Sequence, residues 1–101
     1  MRIAAARRPP PSATLDLKGG TVTDFESMLR EAGREQRRVL VQFESTPGTI
    51  YEREFEPYAI RDGLLYAFSY LRNEMRTLPM RDIRRVEVTP RTFTPRQPVD
   101  L

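Results

Sequence analysis

Sixteen arginines stand against the single Lys18, and the chain contains neither His nor Cys. Thiolate zinc sites, disulfide frameworks and a histidine general base are therefore excluded. The residues left for chemistry are an aromatic and arginine set: Tyr51, Tyr58, Tyr66, Phe68 and Tyr70, with Arg53, Arg72, Arg76, Arg81, Arg84 and Arg85 in or beside the same stretches. Aromatic faces stack bases and planar guanidinium forks hold phosphates, which is how small barrels grip single strands. Arginine richness also follows from codon bias, aromatics in strands are commonly core, and arginines at strand ends are commonly solvated. Composition alone leaves both readings open.

Other chemistries find no support. Glu52, Glu54 and Glu56 alternate along one strand face, a pattern expected of a solvated hairpin face rather than of an acid and base pair. The five glycines are scattered, with no phosphate-loop or dinucleotide fingerprint, and no metal-ligand spacing occurs. No enzymatic activity, cofactor or metal is expected. The formal net charge is only +3, but it is unevenly spread. Between Val39 and Ile60 the one basic residue, Arg53, faces four glutamates, whereas six arginines lie between Arg61 and Thr89. A basic face, if present, comes from the C-terminal half.

The elements that must position these residues follow from periodicity. With 101 residues, 39% apolar and 31% charged, one folded unit with a small core is expected. No apolar run approaches the roughly 20 residues that span a bilayer, and no signal-peptide core is visible, so a cytoplasmic protein with no membrane partner is expected. Residues 1–20, with a proline run and a closing Gly pair, read as a flexible arm. In the next segment Thr23 and Glu26 have capping-box spacing, and Phe25, Met28, Leu29 and Ala32 recur at helical period, which predicts a helix ending near Arg37.

The period then becomes two. Val39, Val41 and Phe43 alternate before a Thr-Pro-Gly turn, and Tyr51, Arg53 and Phe55 alternate in a second strand that Pro57 is expected to end. "YAI" predicts a short third strand, and residues 64–71 a fourth with Leu65, Ala67 and Leu71 on its core face. "RDIRR" could form one helical turn, "VEVT" a last strand, and residues 94–101 a flexible tail. Residues 21–93 thus predict a mainly β domain with one N-terminal helix, about five antiparallel strands and a barrel-like sheet.

Residue order adds a family. The runs "REFEPYAI", "DGLLYAFSY" and "RTLPMRDIRRVEVTPRTF" resemble the WYL domain, whose pattern is an Arg-containing strand ending in Glu-Pro, then Gly-x-Trp-Tyr-Leu, then Arg-x-Phe-x-x-x-Arg-Ile, a Val strand and a Phe. Glu56, Pro57, Gly63, Tyr66, Arg76 and Ile83 fall on matching positions; Leu65 and Ala67 replace Trp and Leu, Leu78 the Phe, and Asp82 the second Arg, with Arg81 one residue earlier. The resemblance implies an Sm-like or SH3-like barrel in a bacterial or defence-linked regulator of transcription. It implies a ligand face for a nucleotide or single-stranded nucleic acid that includes Tyr66 and Arg76. Together with the aromatic and arginine pattern, the candidate ligand residues are Arg53, Tyr66, Tyr70, Arg76 and Arg81, with Tyr66 and Arg76 close together across a hairpin. A protein partner or self-association is expected too. The alternatives are a protein-interaction or oligomerisation module with a degenerate site, or a fragment of a longer regulator.

Overall fold

The structure, a computed structural model, describes residues 13–16 and 21–101. Its elements run β1 (Ala13–Asp16), α1 (Val22–Arg34), β2 (Arg37–Thr46), β3 (Thr49–Arg61), β4 (Leu64–Ser69), β5 (Glu74–Pro79), a 3-10 turn (Met80–Asp82) and β6 (Ile83–Thr92). All strand pairs are antiparallel, in one sheet of six strands ordered β1-β6-β2-β3-β4-β5. The expected class, mainly β with one helix in a small barrel-like domain, is the observed one.

The helix is capped by Thr21, two residues before the expected cap at Thr23. Asp24 N–H donates to Thr21 Oγ1 at 3.3 Å and Thr21 N–H to Asp24 Oδ2 at 2.9 Å, a reciprocal capping box. The segment offers the same spacing twice, and the earlier copy is used. The helix stops at Arg34 because Gln36 turns into left-handed backbone at φ 55° and feeds β2. Its buried face, Phe25, Leu29 and Ala32, joins Val39, Val41, Phe55, Leu65, Leu78, Ile83 and Val86 in one core.

Pro57 does not end its strand. β3 continues to Arg61, so the expected second and third strands are one, and the irregularity is absorbed by a bulge in which Tyr58 is the extra residue opposite the Ala67–Tyr66 step of β4. A similar offset against β2 takes up Pro90 in β6, where Thr89 Oγ1 donates to the Arg38 carbonyl at 2.7 Å. Bulges bend long strands without breaking them, and here they let the inner face wrap the core. The Asp62-Gly63 turn between β3 and β4 has positive φ at both residues, 52° and 74°, as a tight two-residue hairpin requires.

Both termini carry structure that local patterning did not suggest. Ala13–Asp16, inside the expected arm, pairs with β6 as an edge strand; the rest of that arm, 1–12 and 17–20, lies outside the described residues. The aperiodic stretch after β6 returns along the outer face of β3. Phe93 is buried edge-on against Tyr58, Asp100 N–H donates to the Tyr58 carbonyl at 2.7 Å, and Arg34 Nε donates to the Leu101 carbonyl at 2.9 Å. Leu101 rests on Gly33, where a Cβ would collide with its side chain.

Candidate functional site

Strand alternation sends side chains to two faces, and the register fixes which. Phe55 pairs with Ser69, and Ala67 pairs with Arg76, so Tyr51, Arg53, Phe55, Ser69 and Arg76 share the inner face with Phe43 of β2. The helix covers part of this face. At the uncovered end lies a cavity of about 140 Å³, lined by Phe43, Ser45, Tyr51, Arg53, Phe55, Ser69, Leu71, Arg72 and Arg76.

Its floor is aromatic. The Phe43 ring lies 5.9 Å from Tyr51 and 6.1 Å from Phe55, centroid to centroid. Three arginines from three elements also line the cavity: Arg53 on β3, Arg72 in the β4–β5 turn and Arg76 on β5. Arg53 reaches the Glu52 carbonyl at 2.8 Å and lies over the Tyr51 ring at 5.2 Å. None of these three makes an ion pair among the described residues, and no carboxylate lines the cavity. Arginines and serine hydroxyls in one cavity lining that holds no carboxylate have the chemistry to accept an anion, and the aromatic rings offer a stacking surface beside them. The volume is below the roughly 300 to 1,000 Å³ of pockets that engulf small ligands, so it would hold one part of a larger molecule.

The outer face is a different environment. Glu56, expected on a solvated face with Glu52 and Glu54, is only 2% exposed. The C-terminal stretch covers it. Its carboxylate accepts from the Tyr58 hydroxyl at 2.6 Å, from the Tyr70 hydroxyl, and from Arg96 Nε and Nη2 at 3.0 and 3.2 Å. Burial pushes the Glu56 carboxyl up, but the tyrosine and Arg96 hydrogen bonds and the Arg96 charge outweigh it and hold the group below the ordinary carboxylate value. Burial, followed by donation to Glu56, raises both Tyr58 and Tyr70 to about 12. The Arg96 guanidinium also stacks on Phe68, 3.8 Å from the ring centroid.

The five candidate residues are thus divided. Arg53 and Arg76 meet in the cavity. Tyr66 pairs with Thr77 and so faces outward, on the opposite side of the sheet from Arg76, with Arg61 at 5.8 Å over its ring; the two do not adjoin as expected. Tyr70 is engaged with Glu56 and carries Arg38 at 4.9 Å over its ring. Arg81 is exposed in the 3-10 turn, where its carbonyl accepts from Arg84 at 2.7 Å. Leu71, expected in the core, is 65% exposed at the cavity rim, because β4 ends at Ser69. The group the sequence did not assemble is Glu56 with Arg96, forty residues apart. Among the described residues no cluster of three or more His, Cys, Asp or Glu could hold a metal ion, and no helix is long and apolar enough to cross a membrane.

No family model matches the sequence, and no curated protein matches it. Among solved structures the chain is similar to proteasome accessory factor B/C (PafBC) of Arthrobacter aurescens, with a TM-score of 0.64 and 17% identity. The likeness covers 78% of this chain and 14% of that chain. At that identity it shows a shared fold.

Proposed function

We propose that this chain is a WYL-like regulatory module of the cytoplasm, without enzymatic activity, that binds a nucleotide or single-stranded nucleic acid and passes the bound state to a partner chain. The observation that carries the reading is the set of three arginines, Arg53, Arg72 and Arg76, that line a cavity with aromatic rings and make no ion pair among the described residues. Support also comes from the residue order that resembles the WYL pattern and from the fold shared with PafBC, which agrees with the architecture the resemblance implies. In this reading the arginines hold phosphate oxygens, and Phe43 or Tyr51 receives a base or sugar edge. The PafBC likeness and the relative lengths fit a module that works within or beside a larger regulator.

The test is anisotropy of labelled RNA and DNA hexamers across a salt series. Binding through phosphates weakens steeply with salt, and Arg72→Ala or Arg76→Ala should each reduce the slope of log affinity against log salt by about one contact's worth. Absence of binding at low salt would remove the reading. The second reading, a protein-docking module, would then lead, since Ile50, Leu71 and Met75 leave apolar surface exposed.

A further inference from the structure

The outer groove is a receptor built around one guanidinium. Glu56 presents both carboxylate oxygens to Arg96, Phe68 supplies the stacking face, and Tyr58 and Tyr70 fix the carboxylate by donating to it. Two apolar contacts flank the arginine at three residues on either side: Phe93 against Tyr58, and Val99 beside the same cluster. A bidentate carboxylate, a ring face and flanking apolar seats together recognise an arginine-bearing peptide.

The segment that fills the groove is anchored at its end, where Asp100 pairs with Arg61 at 2.8 Å and Leu101 packs on the main core beside Gly33, but along its length it has little backbone pairing with the sheet. Arg96 is 48% exposed, Asp100 is exposed, and the stretch joins the sheet through one isolated bridge, Ala59 to Asp100, rather than a ladder. Tyr58, Phe68 and Phe93 form a small cluster separate from the main core, which contains the helix and the inner face. Elements with few buried contacts open at lower free energy than the core they rest on. An opened groove leaves Glu56 in water beside two hydroxyls, so no unpaired charge remains buried.

We infer that residues 93–101 are a displaceable strap, and that the groove beneath it accepts a partner segment of the same chemistry: an arginine with an aromatic residue three positions before it and an apolar one three positions after. The wild-type chain is self-occupied, because a tethered strap competes at an effective concentration on the order of millimolar. This inference does not depend on the anion reading of the inner cavity.

The experiment uses the full chain with Arg96→Ala, and a labelled peptide with the sequence of residues 92–101 as probe. Hydrogen exchange should show loss of protection at the Asp100 amide with β2, β3 and β6 still protected. The peptide should bind the Arg96→Ala chain at least about tenfold more tightly than wild type, since the competing strap is weakened. Peptide carrying the same Arg→Ala change should bind it at least about tenfold more weakly, and adding Glu56→Gln to the chain should weaken binding of the unaltered peptide. Loss of protection through the whole sheet, or failure of the Arg96→Ala chain to fold, would show that the strap is part of the core and overturn the proposal. Equal binding to both chains, or to neither, would overturn it as well. A wild-type dimer that becomes monomeric with Arg96→Ala would assign the groove to the strap of a second copy and not to a different partner.

Discussion

Two arginine sites sit on opposite faces of the same strands, and they are built in opposite ways. On the outer face Arg96 meets Glu56 in bidentate contact, stacks on Phe68, and closes a network in which every carboxylate oxygen has a donor. On the inner face Arg53, Arg72 and Arg76 line one cavity with no acidic partner among the described residues. Like charges gathered without a counter-charge are repulsive. With residues 93–101 seated, the outer cluster is satisfied within the fold. The inner one is not, and in the proposed reading an anion from outside supplies the missing counter-charge. A guanidinium left unanswered within the fold is thus a better pointer to a small external anion than its presence in a strand.

The comparison can be broken at several points. The largest effect is expected where it should not discriminate: Leu29→Ala opens a void in the core beneath both regions and should cost about 2–4 kcal/mol in a denaturant titration. A loss below about 0.5 kcal/mol would mean the helix does not seal the inner face. Glu56→Ala comes next. It strips the acceptor from two tyrosines and Arg96 and should cost about 2–3 kcal/mol, less than a fully buried pair because Arg96 is half exposed.

The pH dependence tests the same network without mutation. Glu56 is held below its ordinary value of 4.5, so its contribution is complete above that value and is lost as the pH falls through the lower folded one. Tyr58 and Tyr70 are raised from 10.0 to about 12, so their contribution is complete below 10.0 and is lost as the pH rises toward 12. The melting temperature should therefore fall at both extremes. The Glu56→Gln chain should lose part of the acid-side decline, and an unchanged profile would show that Glu56 is not the group responsible. The smallest stability effects belong to the inner face: Arg72→Ala and Arg76→Ala should change unfolding free energy by no more than about 0.5 kcal/mol while weakening anion binding. A large destabilisation would make these arginines structural and erase the contrast.

Much of the fold was legible because it rests on local rules. The period-two runs gave β2 and β4, and the helical stripe gave α1. What escaped depends on distant neighbours. Pro57 reads as a terminator unless a bulge follows, and only pairing with β4 shows the bulge at Tyr58. Glu56 reads as solvated because its neighbours Glu52 and Glu54 are more exposed; nothing within ten residues announces that Phe93 to Leu101 returns to cover it. The separation of Tyr66 from Arg76 was readable in principle. A four-residue turn from Tyr70 to Asn73 sets Ser69 against Glu74, and counting back by pairs puts Arg76 opposite Ala67, on the other face from Tyr66.

The inner cavity and the outer groove are separated by a single layer of backbone. Phe55 lines the cavity and Glu56 anchors the strap; Ser69 lines the cavity and Phe68 carries Arg96; Tyr70 donates to Glu56 and Leu71 stands at the cavity rim. Each is a pair of consecutive residues. The side chains of such a pair leave neighbouring Cα atoms about 3.8 Å apart, so a displacement of the backbone that carries one carries the other. An occupant that shifted this wall from one side would alter the fit on the other, and by the reciprocity of linked equilibria the factor would be equal in both directions. Transmission across this sheet therefore requires no pathway through the core, only the distance from one side chain to the next.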